Sequence, residues 1–142
     1  MQVRTGQDGF TLIELVVVIT ILGILAAFAI PRFVSLEVEA RSAAIESLGG
    51  SVRSSAALSH ALWLAQSQPA TVTIEGQVVN ITDGYPTVAD INLTLSDTTG
   101  FAFAAGVWQK IGATTPANCS VTYTAPPAAG QPPGIAVDTT GC

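Results

Sequence analysis

The sequence predicts an α+β protein: a long N-terminal helix packed against a small antiparallel β-sheet. Two observations carry this. Residues 10–30 form an apolar run, and helical periodicity follows it as far as about Gln68. Beyond Pro69 the pattern changes to alternating β-branched residues punctuated by Gly, Asn, Asp and Pro. With 142 residues, the chain has room for one domain of ordinary size.

Hydrophobic residues make up 49% of the chain, and much of the excess lies in the first thirty positions. Charged residues make up only 11%, against a usual share of about 25%. The net charge is -5, and the five basic residues (Arg4, Arg32, Arg41, Arg53 and Lys110) are scattered. No nucleic-acid partner is predicted from such a balance, because phosphate recognition needs clustered cations.

The first element is the apolar run "FTLIELVVVITILGILAAFAI", residues 10–30. As a helix it extends about 31 Å, which matches the hydrocarbon thickness of a bilayer. Glu14 is its single charge. Three readings compete. A secretory signal peptide would cut near Ala27-Phe28-Ala29, but its leader holds one Arg4 cancelled by Asp8. A plain membrane anchor would be better without Glu14, since a charge at bilayer depth is costly. In the third reading a polar leader is removed after Gly9, and Phe10 becomes the new N-terminus. Glu14 then sits one turn into the helix, where the helix dipole favours an anion. A neighbouring copy's freed α-amine could pair with it. Pairing inside an apolar bundle would select one axial register, because an unpaired charge there is expensive.

The junction "GFTLIEL" with its attached apolar helix closely resembles the class III signal of type IV pilins and their pseudopilin relatives. The resemblance implies leader cleavage between Gly9 and Phe10 by a prepilin peptidase, N-methylation of Phe10, and Glu14 as the assembly residue. It also implies the pilin fold, no enzymatic activity, a homopolymeric filament, and pilus assembly machinery as partner. The expected localisation is the bacterial inner membrane for the precursor and the cell exterior for the assembled pilus. The chain then divides into a leader (1–9), a transmembrane and assembly helix (10–30), an amphipathic helical half (31–68) and a β-rich head (69–142).

Pro31 ends the apolar run and lacks an N–H, so a helix break, kink or loosening is expected there, with Gly23 as a second weak point. The family resemblance adds local melting of residues 23–31 on assembly. In the amphipathic half, Ile45, Leu48 and Val52 recur at helical spacing, and Leu58, Leu62 and Ala65 are expected to continue the stripe. Gly49-Gly50 interrupts it.

Downstream, "TVTIEGQVVNIT" (71–82) reads as a hairpin turning at Glu75-Gly76-Gln77, and "DGYP" (83–86) as a turn. Residues 87–99 read as a short helix or loop. Phe101, Phe103 and Trp108 are candidate core residues. "CSVTYT" (119–124) and "GIAVDTT" (134–140) read as paired strands. Cys119 and Cys142 are the only cysteines. They form a disulfide if the head is exported, and remain separate thiols otherwise. The segments "DGYPT", "CSVTYT" and the terminal Gly141-Cys142 are similar to major pilins of the MSHA (mannose-sensitive haemagglutinin) group.

Catalytic chemistry finds no foothold. His60 is the only histidine and has no partner placed by sequence, so it reads as packing or solvated. No cofactor and no metal site is predicted, since Asp83, Asp90 and Asp97 are too sparse for a calcium loop. The leading expectation is a structural subunit of an MSHA-like type IV pilus used for adhesion and, in some settings, motility. The alternative is a pseudopilin of a type II secretion system, which shares the N-terminal signal.

Overall fold

The computed structural model describes residues 9–142; of the expected leader, residues 1–8 lie outside the described residues. One long helix, α1 (Leu12–Ala65), precedes two antiparallel sheets. The chain divides into two compact units, one ending at Glu37 and the other spanning Val38–Cys142. Helical residues 38–65 therefore belong to the same compact unit as the strands.

The break expected at Gly23 and Pro31 is absent, and α1 runs through both positions. Proline deletes one N–H, the partner of the Ala27 carbonyl, but its fixed φ of about −65° is itself helical. One bond is lost and the turns on either side hold. At its other end α1 stops at Ala65, three residues short of the expected Gln68. Ser67 and Gln68 both take φ of 63°, and the Gln68 N–H donates to the Trp63 carbonyl at 2.8 Å. This closure occupies an end carbonyl of the helix, and Pro69 disfavours the helical conformation for the residue before it.

The buried face of α1 comprises Ile45, Leu48, Gly49, Val52, Ala56 and Ser59. Leu58 and Ala65, expected on this stripe, are exposed instead, Leu58 by 57%. Small Ala56 and Ser59 take the inward positions, with the Ser59 hydroxyl donating to the Ser55 carbonyl at 2.7 Å. Gly49 explains its own presence by proximity. A Cβ there would stand 2.6 Å from Cγ2 of Val137 and 3.8 Å from Cγ2 of Val121. The glycine lets the helix approach the sheet closely.

Two sheets form where one is expected. The first has order β1 (Thr71–Ile74), β2 (Gln77–Thr82), β3 (Tyr85–Pro86). The second has order β4 (Phe101–Ala104), β5 (Val107–Lys110), β6 (Ser120–Thr124), β7 (Gly134–Asp138). The expected turn "DGYP" is only half turn, because Tyr85 and Pro86 pair with Thr82 and Ile81. Three tight hairpins turn on residue pairs with positive φ: Glu75-Gly76, Asp83-Gly84 and Ala105-Gly106. That backbone matches the twist of the flanking strands.

The larger core joins the helix face to Ile91, Trp108, Val121 and Tyr123. Its polar atoms are matched. The Trp108 indole donates to Oδ1 of Asn92 at 2.8 Å, and the Tyr123 hydroxyl to the Pro86 carbonyl at 2.7 Å. Phe101 and Phe103 are half-buried rather than central, Phe103 tilting onto Trp108 at 4.7 Å. Asp90 accepts from both the backbone N–H and the side-chain amide of Asn80, tying the 3₁₀ turn Ile91–Thr94 to β2. The Asn80 backbone bond holds the Asp90 carboxyl below its ordinary range.

Cys119 and Cys142 are buried and form a disulfide with Cα atoms 4.8 Å apart. The segment after β7 is also laced back by main-chain bonds, Thr115 N–H to Gly141 and Gly141 N–H to Asn118, both at 2.9 Å. Across 101 positions of sequence, Nη1 of Arg41 donates to the Cys142 carbonyl at 3.0 Å.

Candidate functional site

The site begins at the first turn of α1. Thr11 precedes the helix, and its Oγ1 accepts from the Glu14 N–H at 3.3 Å. Glu14 reaches back with Oε2, which accepts from the Thr11 N–H at 2.9 Å and from the Thr11 hydroxyl at 2.7 Å. This is a capping box: threonine and glutamate three residues apart satisfy helix-end donors reciprocally. The signal Thr-x-x-Glu is present in "TLIE", and reading Glu14 as an anion for the helix dipole and a charge for a partner misses it. Within one chain, then, Glu14 already caps its own helix.

Phe10, Ile13, Glu14, Val17 and Val18 line an open groove along one side of the helix. Their spacing of three and four residues places them on a common face. The large apolar residues from Phe10 to Leu36 are all exposed, Phe10 by 90% and Phe28 by 76%. Covering each such side chain would contribute about 1.5–3 kcal/mol, so a surface of this extent calls for lipid or for other chains. By length and composition α1 is apolar enough near the N-terminus to cross a membrane.

Gly9, Phe10 and Glu14 thus come together at one helix end, with Gly9 and Phe10 both exposed. Gly23 and Pro31 lie further along the same exposed helix, and Cys119–Cys142 sits in the other unit. His60 packs. Its ring stacks on Tyr85 at 4.4 Å and on Trp63 at 5.5 Å, and Nδ1–H donates to the Gly84 carbonyl at 2.8 Å. Among the described residues no three His, Cys, Asp or Glu side chains converge as metal ligands would.

Residues 4–30 match the family model of the prokaryotic N-terminal methylation motif. Over 50 residues the chain is 52% identical to the type IV narrow pilus major component PilA5 of Thermus thermophilus. That stretch covers 35% of this chain and 43% of the relative, so the chain spans less than half the relative's length. No solved structure matches. The two likenesses support a type IV pilin, and the long N-terminal helix with antiparallel sheets is consistent with the α+β fold of that class.

Proposed function

We propose that the chain is a structural subunit of a type IV pilus, MSHA-like in kind, polymerising through its N-terminal helix into a surface filament used for adhesion. The observation that carries this reading is the Gly9–Phe10 junction and Glu14 at the head of a helix whose apolar side chains are exposed throughout residues 10–36. In this reading prepilin peptidase cuts after Gly9, Phe10 is N-methylated, and the inner membrane holds the helix until assembly. The freed Phe10 amine of one copy pairs with Glu14 of another and sets their register. Residues 23–31 loosen when chains bundle, starting from the lost Pro31 hydrogen bond. The MSHA likeness rests on the three C-terminal segments and on the Cys119–Cys142 bridge.

A pseudopilin shares the N-terminal features, and the bridged C-terminal segment favours the pilus. Electron microscopy of sheared surface fibres, followed by N-terminal sequencing, tests the proposal. Fibres whose subunits begin with N-methylated phenylalanine are the expected result. A subunit retained in the cell envelope, with no surface fibre containing it, overturns it.

A further inference from the structure

The capping box occupies the donors that would carry α1 back through the Gly9–Phe10 bond. A helix extended by one more turn would send the Glu14 N–H to the Phe10 carbonyl and the Thr11 N–H to a carbonyl four residues earlier. Both donors are already taken. The Glu14 N–H donates to Oγ1 of Thr11 at 3.3 Å, and the Thr11 N–H to Oε2 of Glu14 at 2.9 Å. The Leu15 N–H donates to the Thr11 carbonyl at 3.3 Å, so intrahelical bonding starts at Thr11 and α1 begins at Leu12.

Gly9 and Phe10 stand outside the helix, and both are exposed. A Cβ built on Gly9 would meet nothing within 4 Å, so this side of the Gly9–Phe10 peptide is open. In a longer helix the Gly9 carbonyl would accept from the Ile13 N–H, and a hydrolase would have to break that turn before reaching the carbonyl carbon.

We propose that Thr11 is a positioning residue for leader removal: by starting the helix at Leu12, its capping box presents the Gly9–Phe10 bond to the peptidase as free chain. The inference rests on the processing step of the pilus reading above and assigns this chain's own part in it. In that step water adds across the Gly9–Phe10 bond. Its oxygen goes to the Gly9 carbonyl carbon, leaving a carboxylate, and both its protons go to the Phe10 nitrogen, which departs as the α-ammonium. Thr11 acts on neither reacting atom. It sets the fraction of chains in which the bond is accessible, and the rate scales with that fraction.

The test is the initial rate of leader release from the full-length chain in detergent by purified prepilin peptidase, read by mass. Thr11→Ala removes the cap and favours a longer helix. It is expected to be cut about fivefold more slowly, though to the same end point. Thr11→Ser keeps the hydroxyl acceptor and should match wild type. Thr11→Gly offers a peptidase no side chain to hold, yet glycine caps nearly as well as threonine. It should be cut within about twofold of the wild-type rate. Hydrogen exchange reads the conformation apart from cleavage: the Ile13 amide, which a longer helix would bond to Gly9, is expected to gain protection in Thr11→Ala. Thr11→Ala cut at the wild-type rate, or with unchanged Ile13 protection, overturns the proposal. So does Thr11→Gly cut as slowly as Thr11→Ala, since the peptidase would then be gripping the threonine side chain itself. A wild-type chain that is not cut after Gly9 overturns the processing reading instead, which separates the two failures.

Discussion

Thr11 and Glu14 complete one another at the first turn of α1, each offering an acceptor to the other's backbone N–H at 3.3 and 2.9 Å. Glu14 caps its own chain, and in the proposed assembly it also offers a charge to another. Glutamine keeps an acceptor oxygen and so keeps the box, while removing the charge. Glu14→Gln is expected to leave the helix and membrane insertion intact and to abolish surface fibres. Thr11→Val removes the cap at a cost of about 1 kcal/mol and is expected to leave fibres. Fibre counts from both variants, set against subunit levels in the membrane fraction, check the division. Normal fibres from Glu14→Gln would falsify the register role.

The Cys119–Cys142 bridge closes a span of 23 positions and is buried in the main core. Removing it frees the final segment, whose remaining ties are the Arg41 bond to Cys142 and the short lacing around Asn118. Cys142→Ser is expected to destabilise the head by about 3 kcal/mol on the loop-entropy account. Denaturant titration of the detergent-solubilised full chain, followed by near-ultraviolet circular dichroism from Trp108, measures it.

Gly49 and Val137 meet at the closest approach of helix and sheet. Gly49→Ala is expected to cost about 1–3 kcal/mol through overpacking, as added methyl groups in tight cores do. Val137→Ala vacates the obstructing methyl groups. The double variant should therefore lose less than the sum of the two single losses, a coupling that a double-mutant cycle reads directly.

Sequence spacing identifies Ile45, Leu48 and Val52 as the inward face because three- and four-residue recurrence is a property of the helix alone. The β1–β2 hairpin is legible for a similar reason, since Glu75-Gly76 marks its own turn locally. Leu58 misleads. Hydrophobicity ranks it above Ala56 and Ser59, but it follows Val52 by six residues, which turns it away from the buried face that Ala56 and Ser59 continue. Gly49 reads as an interruption because its purpose lies at Val137, 88 positions away. The Arg41–Cys142 bond is illegible on the same grounds, being a product of tertiary proximity. At the N-terminus the Gly9–Phe10 junction and Glu14 stand out as a contiguous motif. The capping role of Thr11 is equally local, and it is masked by the charge beside it.

Tyr123 gives the head an alkaline limit. Burial, with a smaller contribution from the nearby Tyr85 phenol, pushes its hydroxyl up to about 12 from an ordinary 10. The folded state thus holds this proton where the unfolded chain has released it. Its contribution is fully present below pH 10 and is lost as pH rises from 10 toward 12. Ionisation would also remove the donor that the Pro86 carbonyl uses at 2.7 Å. Tyr123→Phe abolishes that titration but leaves the buried carbonyl without its partner, at a cost of about 1–3 kcal/mol at neutral pH. Thermal melts of the full chain in detergent between about pH 8 and 12 should show the wild type falling steeply above pH 10. The variant should start lower and fall less. Parallel curves would show that Tyr123 does not set the limit.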